Sequence, residues 1–370
     1  MKPRILFVVM SAVASPGTVD QLARSLAPHT VLVHHDFSQS PDFRLEAPNV
    51  AFVPDPVRTG WATFGFVQGI FRALEHAVRH LDFDYLQLLS PTCLPIKPIA
   101  RFESHVARAV DAHFGAIDLL GDEECLMSVG YRAFTPDGSF RHRVLRRLTS
   151  EYFARRRGRR DEAGVWIHSG GGQGWKAGVA RWAVRAAAGQ AFGTHPFGPT
   201  LRPYYGSVWF GARPHVVRGM VEAFRQPRLH GWFSRLRIAE EFIVPSLLMR
   251  LADTRGPLNH YISRFDQAHP NKLGEHDLDD LRDSPAFFAR KFPDDPAAPV
   301  RLRVLAELVG VDGEPLAASR AVELPEPLEL AKPATRSAAL RTDGHPLIAP
   351  SGSVAGVGLP AGAPLASPSS

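Results

Sequence analysis

The chain has 370 residues, 45% apolar, 22% charged and 9% aromatic, which excludes a collagen-like, wholly disordered or disulfide-stapled architecture. Its formal charge is only +6, from 43 Lys+Arg against 37 Asp+Glu, so the location of the excess matters more than its size. Cys93 and Cys125 are the only cysteines; they allow at most one disulfide and sit in no metal-ligand spacing, which points to a reducing, cytoplasmic setting.

Lys2-Pro3-Arg4 followed by Ile5-Leu6-Phe7-Val8-Val9 and Ala12-Val13-Ala14 imitates a secretory leader. The apolar run, however, has the length and composition of a buried parallel strand, and cleavage behind it would delete that strand. Ser15-Pro16-Gly17 leads into an amphipathic helix around Val19 to Leu26, and a second strand follows at Val31-Leu32-Val33, completing a β-α-β unit. Val67, Phe71, Leu74, Val78 and Leu81 recur at helical spacing, which predicts a helix from Trp61 to Leu81. Tyr85 to Leu89 then reads as a strand, Ile99 to Val110 as a helix and Phe114 to Leu119 as a further short strand. Such alternation predicts an α/β fold with a mostly parallel, helix-covered sheet, Rossmann-like, whose ligands bind beyond the carboxyl ends of the strands.

Arg141 to Arg160 holds nine arginines. It reads as a solvated helix face followed by a charged loop, with grip on a nucleic-acid backbone or an anionic membrane as the rival reading. No apolar run reaches the length needed to span a bilayer. Periodicity fades beyond Pro293, which predicts a folded domain over 1–300, a weakly structured extension over 301–324 and a disordered Pro/Ala/Gly/Ser-rich tail over 325–370.

Several motifs read as structural. Gly170 to Gly174 lacks the Lys-Ser/Thr of a phosphate loop. His76 and His80 have chelating spacing without a third ligand. Asp82-Phe83-Asp84 precedes a strand instead of following one, so it reads as a helix-to-strand turn at the wrong end of the sheet for a metal site. Three other segments carry chemistry better. Tyr205-Gly206-Ser207-Val208-Trp209-Phe210 sets small and hydroxyl groups beside aromatic rings suited to sugar stacking. Glu240-Glu241 opens an otherwise apolar helix, where a carboxylate is favoured. Phe287-Phe288-Ala289-Arg290-Lys291-Phe292 places two cations among aromatics, a setting that suits a diphosphate.

In this order the segments resemble the core-2/I-branching glycosyltransferase family, which includes branching β-1,6-N-acetylglucosaminyltransferases and peptide O-xylosyltransferases. The resemblance runs from the first strand to Phe292. It is carried by His34-His35-Asp36, Trp61-Ala62-Thr63, Asp84-Tyr85 through Leu89-Ser90 to Leu94-Pro95-Ile96-Lys97, Gly206-Ser207 with Trp209-Phe210, Glu240-Glu241 and Phe288 to Phe292. The absence of an anchor and of several disulfides matches a bacterial-type member.

The resemblance implies a GT-A-like domain that transfers GlcNAc or xylose from a UDP-sugar to a glycan or glycolipid acceptor, with inversion and without a metal or other cofactor. Asp36 would contact uracil or its ribose, Arg290 and Lys291 would hold the diphosphate, and Glu241 would be the general base. Trp61, Ser207, Trp209 and Glu240 would line the substrate site. Glu240 stands where the family has Asp, which leaves open which of the two glutamates faces the crevice. Pro91-Thr92-Cys93 replaces the usual Gly-x-Asp. No nucleic-acid partner is expected, and the arginine-rich segment fits peripheral contact with the inner face of an anionic membrane. The competing class is a non-catalytic sugar-binding or nucleic-acid-binding protein that uses residues 141–160.

Overall fold

The computed structural model describes residues 2–310 except 12–13, 109, most of 127–155, 161–163, 171–173, 194–196, 199, 235 and 267–268. Most of the arginine run up to 155, the middle of the glycine-rich loop and everything beyond 310, including the tail at 325–370, lie outside the described residues.

The amino-terminal elements are β1 (Ile5–Met10), α1 (Pro16–Ser25), β2 (Thr30–His34), β3 (Val50–Phe52), α2 (Phe64–His80), β4 (Tyr85–Leu89), β5 (Leu94–Pro95) and α3 (Ile99–Val106). There follow β6 (Ala112–His113), β7 (Ala116–Asp118), β8 (Arg156–Arg160), β9 (Trp166–Gly170), α4 (Trp175–Gly193), β10 (Tyr204–Gly206), β11 (Gly211–Ala212), α5 (Pro214–Phe224) and α6 (Pro227–Phe233). The rest comprises α7 (Glu240–Leu251), β12 (Arg255–Gly256), β13 (His260–Ile262), β14 (Phe265–Asp266), β15 (His269–Pro270), α8 (Leu278–Asp283), β16 (Phe288–Arg290) and α9 (Pro299–Arg303), which runs on as a wider helical turn over Val304–Val309.

The central sheet has the order β12-β6-β11-β4-β1-β2-β3. It is parallel except for β11, which runs antiparallel to β4 and β6. β1 lies in the middle, with Val8 opposite Leu32 on one side and Leu88 on the other. Every residue of β1 is buried, because helices cover both faces, and this is why its sequence is a continuous apolar run and not an alternating one. Leu6 and Val8 point into a core shared with α2, α5 and α7. Phe7 and Val9 point into the other core, with α1, α3, Phe288 and α9. At roughly 1.5–3 kcal/mol for each large apolar side chain removed from water, these layers supply the main driving force of the fold.

Several predicted boundaries move for identifiable reasons. α2 starts at Phe64 with Thr63 as its N-cap, which leaves Trp61 in the preceding turn. α3 stops at Val106 because the Arg213 guanidinium collects the carbonyls of Val106, Arg108 and Val110, ending the helix where sequence periodicity would carry it to Val110. The strand predicted over 114–119 divides: Ala112–His113 joins the main sheet while Ala116–Asp118 pairs with β10.

The packed domain also passes the expected limit at 300. Arg301 is completely buried, with Nε donating to Gln21 Oε1 at 2.6 Å, Nη1 to Pro293 O at 3.2 Å and Nη2 to Thr18 O at 3.4 Å. Residues 301–309 are therefore part of the core and not a loose extension. Among the described residues no helix is long and apolar enough to cross a membrane.

Candidate functional site

The site is built at the carboxyl ends of β1 and β4. Leu94–Pro95, just past the end of β4, pairs with β16, and β16 pairs with β13. The chain leaving β16 is fastened to neighbouring loops: Phe292 N–H donates to Thr92 O at 3.0 Å and Leu273 N–H to Lys291 O at 2.8 Å. The amide and hydroxyl of Ser15, in the loop after β1, donate to the Asp294 carboxylate at 3.0–3.1 Å. Arg290 and Lys291 thus stand at the end of the sheet where α/β folds bind ligands.

The Arg290 guanidinium lies 4.8 Å from the centre of the Trp209 ring, within cation–π range. Its Nε is buried without a hydrogen-bond partner, and among the described residues the group makes no hydrogen bond or salt bridge. Burial lowers its proton affinity below that of an ordinary arginine, opposed by attraction to Cys93 and Glu241. Burial also lowers the Lys291 ammonium, helped by repulsion from Arg290 and Lys272 and opposed by Asp294. A cation desolvated in this way without a matching anion is costly, so the arrangement suits a bound anion that would complete it.

Glu240 is buried and Glu241 partly buried at the start of α7, where the helix dipole favours negative charge. Glu241 is close enough to Arg290 for electrostatic attraction, so these two predicted site residues share one neighbourhood. Trp61 joins from another direction. It is 67% exposed, and Arg237 stands 5.2 Å above its ring. Next to this pair, Ile238 N–H donates to Ala62 O at 3.4 Å, with φ of +61° at Ala62 and +56° at Ile238. Left-handed backbone is unusual for alanine and costly for a β-branched side chain, and such strain concentrates at functional sites.

Trp209 is not an open stacking platform. It is only 5% exposed and its ring supports Arg290. Its amide donates to Ser207 Oγ at 3.2 Å, which ties that hydroxyl into the local turn. Gly206 is required by packing, since a Cβ there would overlap the Gly115 carbonyl. Asp36 likewise has a structural occupation. Its carboxylate accepts from Ser38 N and Oγ, Gln39 Nε2 and Thr59 N at 2.6–3.1 Å. Although burial opposes ionisation, these bonds outweigh it and hold the carboxyl well below the usual carboxylate range. With His34 accepting from Val57 N–H at 3.1 Å, the His34-His35-Asp36 segment anchors the loop that leads to Trp61. His35 is stacked on Phe43 and bonded to Ser11 Oγ at 2.7 Å.

His260 was not predicted from the sequence. It is 95% buried, opposite Phe288 in the β13–β16 pair, and neither ring nitrogen has a hydrogen-bond partner. Burial first, and Arg290 second, push it down to about 3, so a neutral imidazole lies beside the Arg290 cation. No sequence signal marks it, because the register that brings it to Phe288 joins residues far apart in the chain. Neighbouring Asn259 donates to Gln87 Oε1 at 3.0 Å while Gln87 Nε2 donates to Phe210 O at 2.9 Å, which fixes β13, β4 and the Trp209 segment together.

Among the motifs read as structural, Asp84 accepts from the Arg4 amide at 2.8 Å and pairs with its guanidinium, at the end of the sheet opposite the crevice. The rings of His76 and His80 are 4.9 Å apart, and no group of three or more His, Cys, Asp or Glu able to hold a metal occurs among the described residues. Arg156–Arg160 is not a charged loop but a strand paired with β9. Arg160 stacks 5.0 Å over Tyr261 and 5.5 Å over Trp166 and donates to Ile262 O.

No family model and no curated protein matches this chain. The residues of the site therefore carry the functional reading by themselves.

Proposed function

We propose that the protein is an inverting glycosyltransferase of the GT-A type that moves GlcNAc or xylose from a UDP-sugar to a hydroxyl of a glycan or glycolipid acceptor, without a divalent metal. The observation that carries this reading is the partly buried Arg290, whose Nε is shut off from solvent without a hydrogen-bond partner. It rests on Trp209, lacks an anionic hydrogen-bond partner among the described residues, and lies within electrostatic range of a carboxylate at the helix start.

In this mechanism the Glu241 carboxylate takes the proton of the acceptor hydroxyl. The hydroxyl oxygen bonds to the anomeric carbon as the bond from that carbon to the β-phosphate oxygen breaks on the opposite face. UDP leaves with the bonding pair, and Arg290 and Lys291 bind the charge it gains. A positioned base is worth about 10²–10⁴-fold in rate, and loss of one preorganised donor to a developing anion costs about 10²–10³-fold. His260, kept neutral, adds no charge beside the cations. Asp36 supports the Trp61 loop in this scheme and is not assigned to uracil.

The test is UDP release measured over a panel of UDP-sugars with and without EDTA. Wild-type turnover that is insensitive to EDTA, and lost in Glu241→Gln with UDP binding retained, is the expected outcome. Full turnover in Glu241→Gln but not in Glu240→Gln would move the base to Glu240. UDP binding with no release from any donor would leave a sugar-nucleotide binder in place of the enzyme.

A further inference from the structure

α4 is packed inside out. Its inward positions are small, with Ala177 at 1% and Ala180 at 0% exposure, while Trp175 is 76%, Val179 43% and Trp182 72% exposed. At 100° per residue, Trp175, Val179, Trp182 and the exposed Ala186 fall within an arc of about 60° on the solvent side. Helices of globular proteins normally turn their large apolar stripe toward the core, so this one offers its apolar face to something outside the domain. The exposed Lys176 flanks the stripe on one side and Arg185 on the other, the latter in a loose pair with Glu123 at 3.9 Å. Between Trp175 and Gly193 the helix contains Lys176, Arg181 and Arg185 and no carboxylate.

We infer that α4 docks on the surface of an anionic lipid bilayer, lying in the interface plane with Trp175, Val179 and Trp182 inserted among the headgroups. Tryptophan prefers this boundary because its apolar ring and its N–H are then both satisfied. An apolar stripe bordered by cations, on a helix without acid, has the charge pattern of interfacial helices that select anionic lipid. Each Lys or Arg near such a surface adds attraction that salt screens. A second copy of the same helix would oppose like charges. The inference does not depend on the chemistry proposed for the crevice.

The test is flotation of the full chain with vesicles of phosphatidylcholine alone and of equimolar phosphatidylcholine and phosphatidylglycerol, alongside Trp175→Ala/Trp182→Ala. Wild type should float with the anionic vesicles only, with a blue-shifted tryptophan emission. The double variant should bind at least about tenfold more weakly with an unchanged thermal midpoint, since the removed rings are exposed. Undiminished flotation of the double variant, or no flotation of the wild type, overturns the inference. So does a wild-type dimer in sedimentation equilibrium that the double variant abolishes without any vesicle binding. UDP binding, measured on the same samples, reports separately on the crevice.

Discussion

Two arginines close in sequence, Arg301 fully buried and Arg290 partly so with its Nε buried, have opposite fates. Arg301 spends its donors on Gln21, Pro293 and Thr18 and so ties α9 to α1. Even with those bonds, burial lowers it to about 10. Arg290 lies on an aromatic ring with Nε unsatisfied. A guanidinium is expensive to bury in either setting, yet only at Arg301 does the protein supply hydrogen-bond acceptors that compensate. Two carboxylates differ in another way: Asp36 accepts bonds from Ser38, Gln39 and Thr59, whereas Glu241 lies within electrostatic range of Arg290. The lesson is that a polar group satisfied from within its own fold holds the fold, and a cation with an unsatisfied donor, as at Arg290 Nε, is available to a ligand.

The contrast sharpens most at the crevice. Arg290→Met should lower turnover about 10²–10³-fold and weaken UDP binding in titration calorimetry, while the thermal midpoint holds or rises because an uncompensated cation has gone. A large fall in midpoint would make Arg290 structural like Arg301. The reverse is expected of Arg301→Met, which strands Gln21 and two carbonyls. It should destabilise by about 3 kcal/mol in urea with turnover per folded molecule preserved.

Asp36→Asn tests the second half of the contrast. It should cost about 2 kcal/mol through weakened bonds to Ser38, Gln39 and Thr59, with UDP affinity almost unchanged; a specific loss of UDP affinity would restore the nucleotide contact. Since the Asp36 carboxyl is depressed in the folded state, its contribution is present above the unfolded carboxylate pKa and lost as pH falls through the folded value.

The buried histidines act in a higher window. His34 and His113 are each pushed to about 4 by burial, so below 6.5 the unfolded chain takes up protons that the native one refuses. Stability should therefore fall as pH drops from 6.5 to 4, and His113→Gln should flatten that slope in thermal melts. The smallest effect belongs to Asp84→Asn. Its exposed pair with Arg4 should hardly move the midpoint, and added Mn²⁺ should not alter turnover in either form.

Much of the fold was legible in the sequence. The run Ile5 to Val9 and the strand Tyr85 to Leu89 appear where their apolar composition puts them, because a strand covered on both faces has no polar alternative. The stripe Val67, Phe71, Leu74 likewise faces the core. Glu240-Glu241 and Arg290-Lys291 could be singled out as charges placed against apolar surroundings. Tertiary structure alone decided what each did. It buried Trp209 under Arg290, left Trp61 on the surface, gave Asp36 to its loop, brought His260 beside Phe288 and carried the core through Arg301. The physical reason is that periodicity records which face of one segment avoids water, a local property. Whether a polar side chain finds its partner within the protein depends on register between distant segments, which no local pattern encodes.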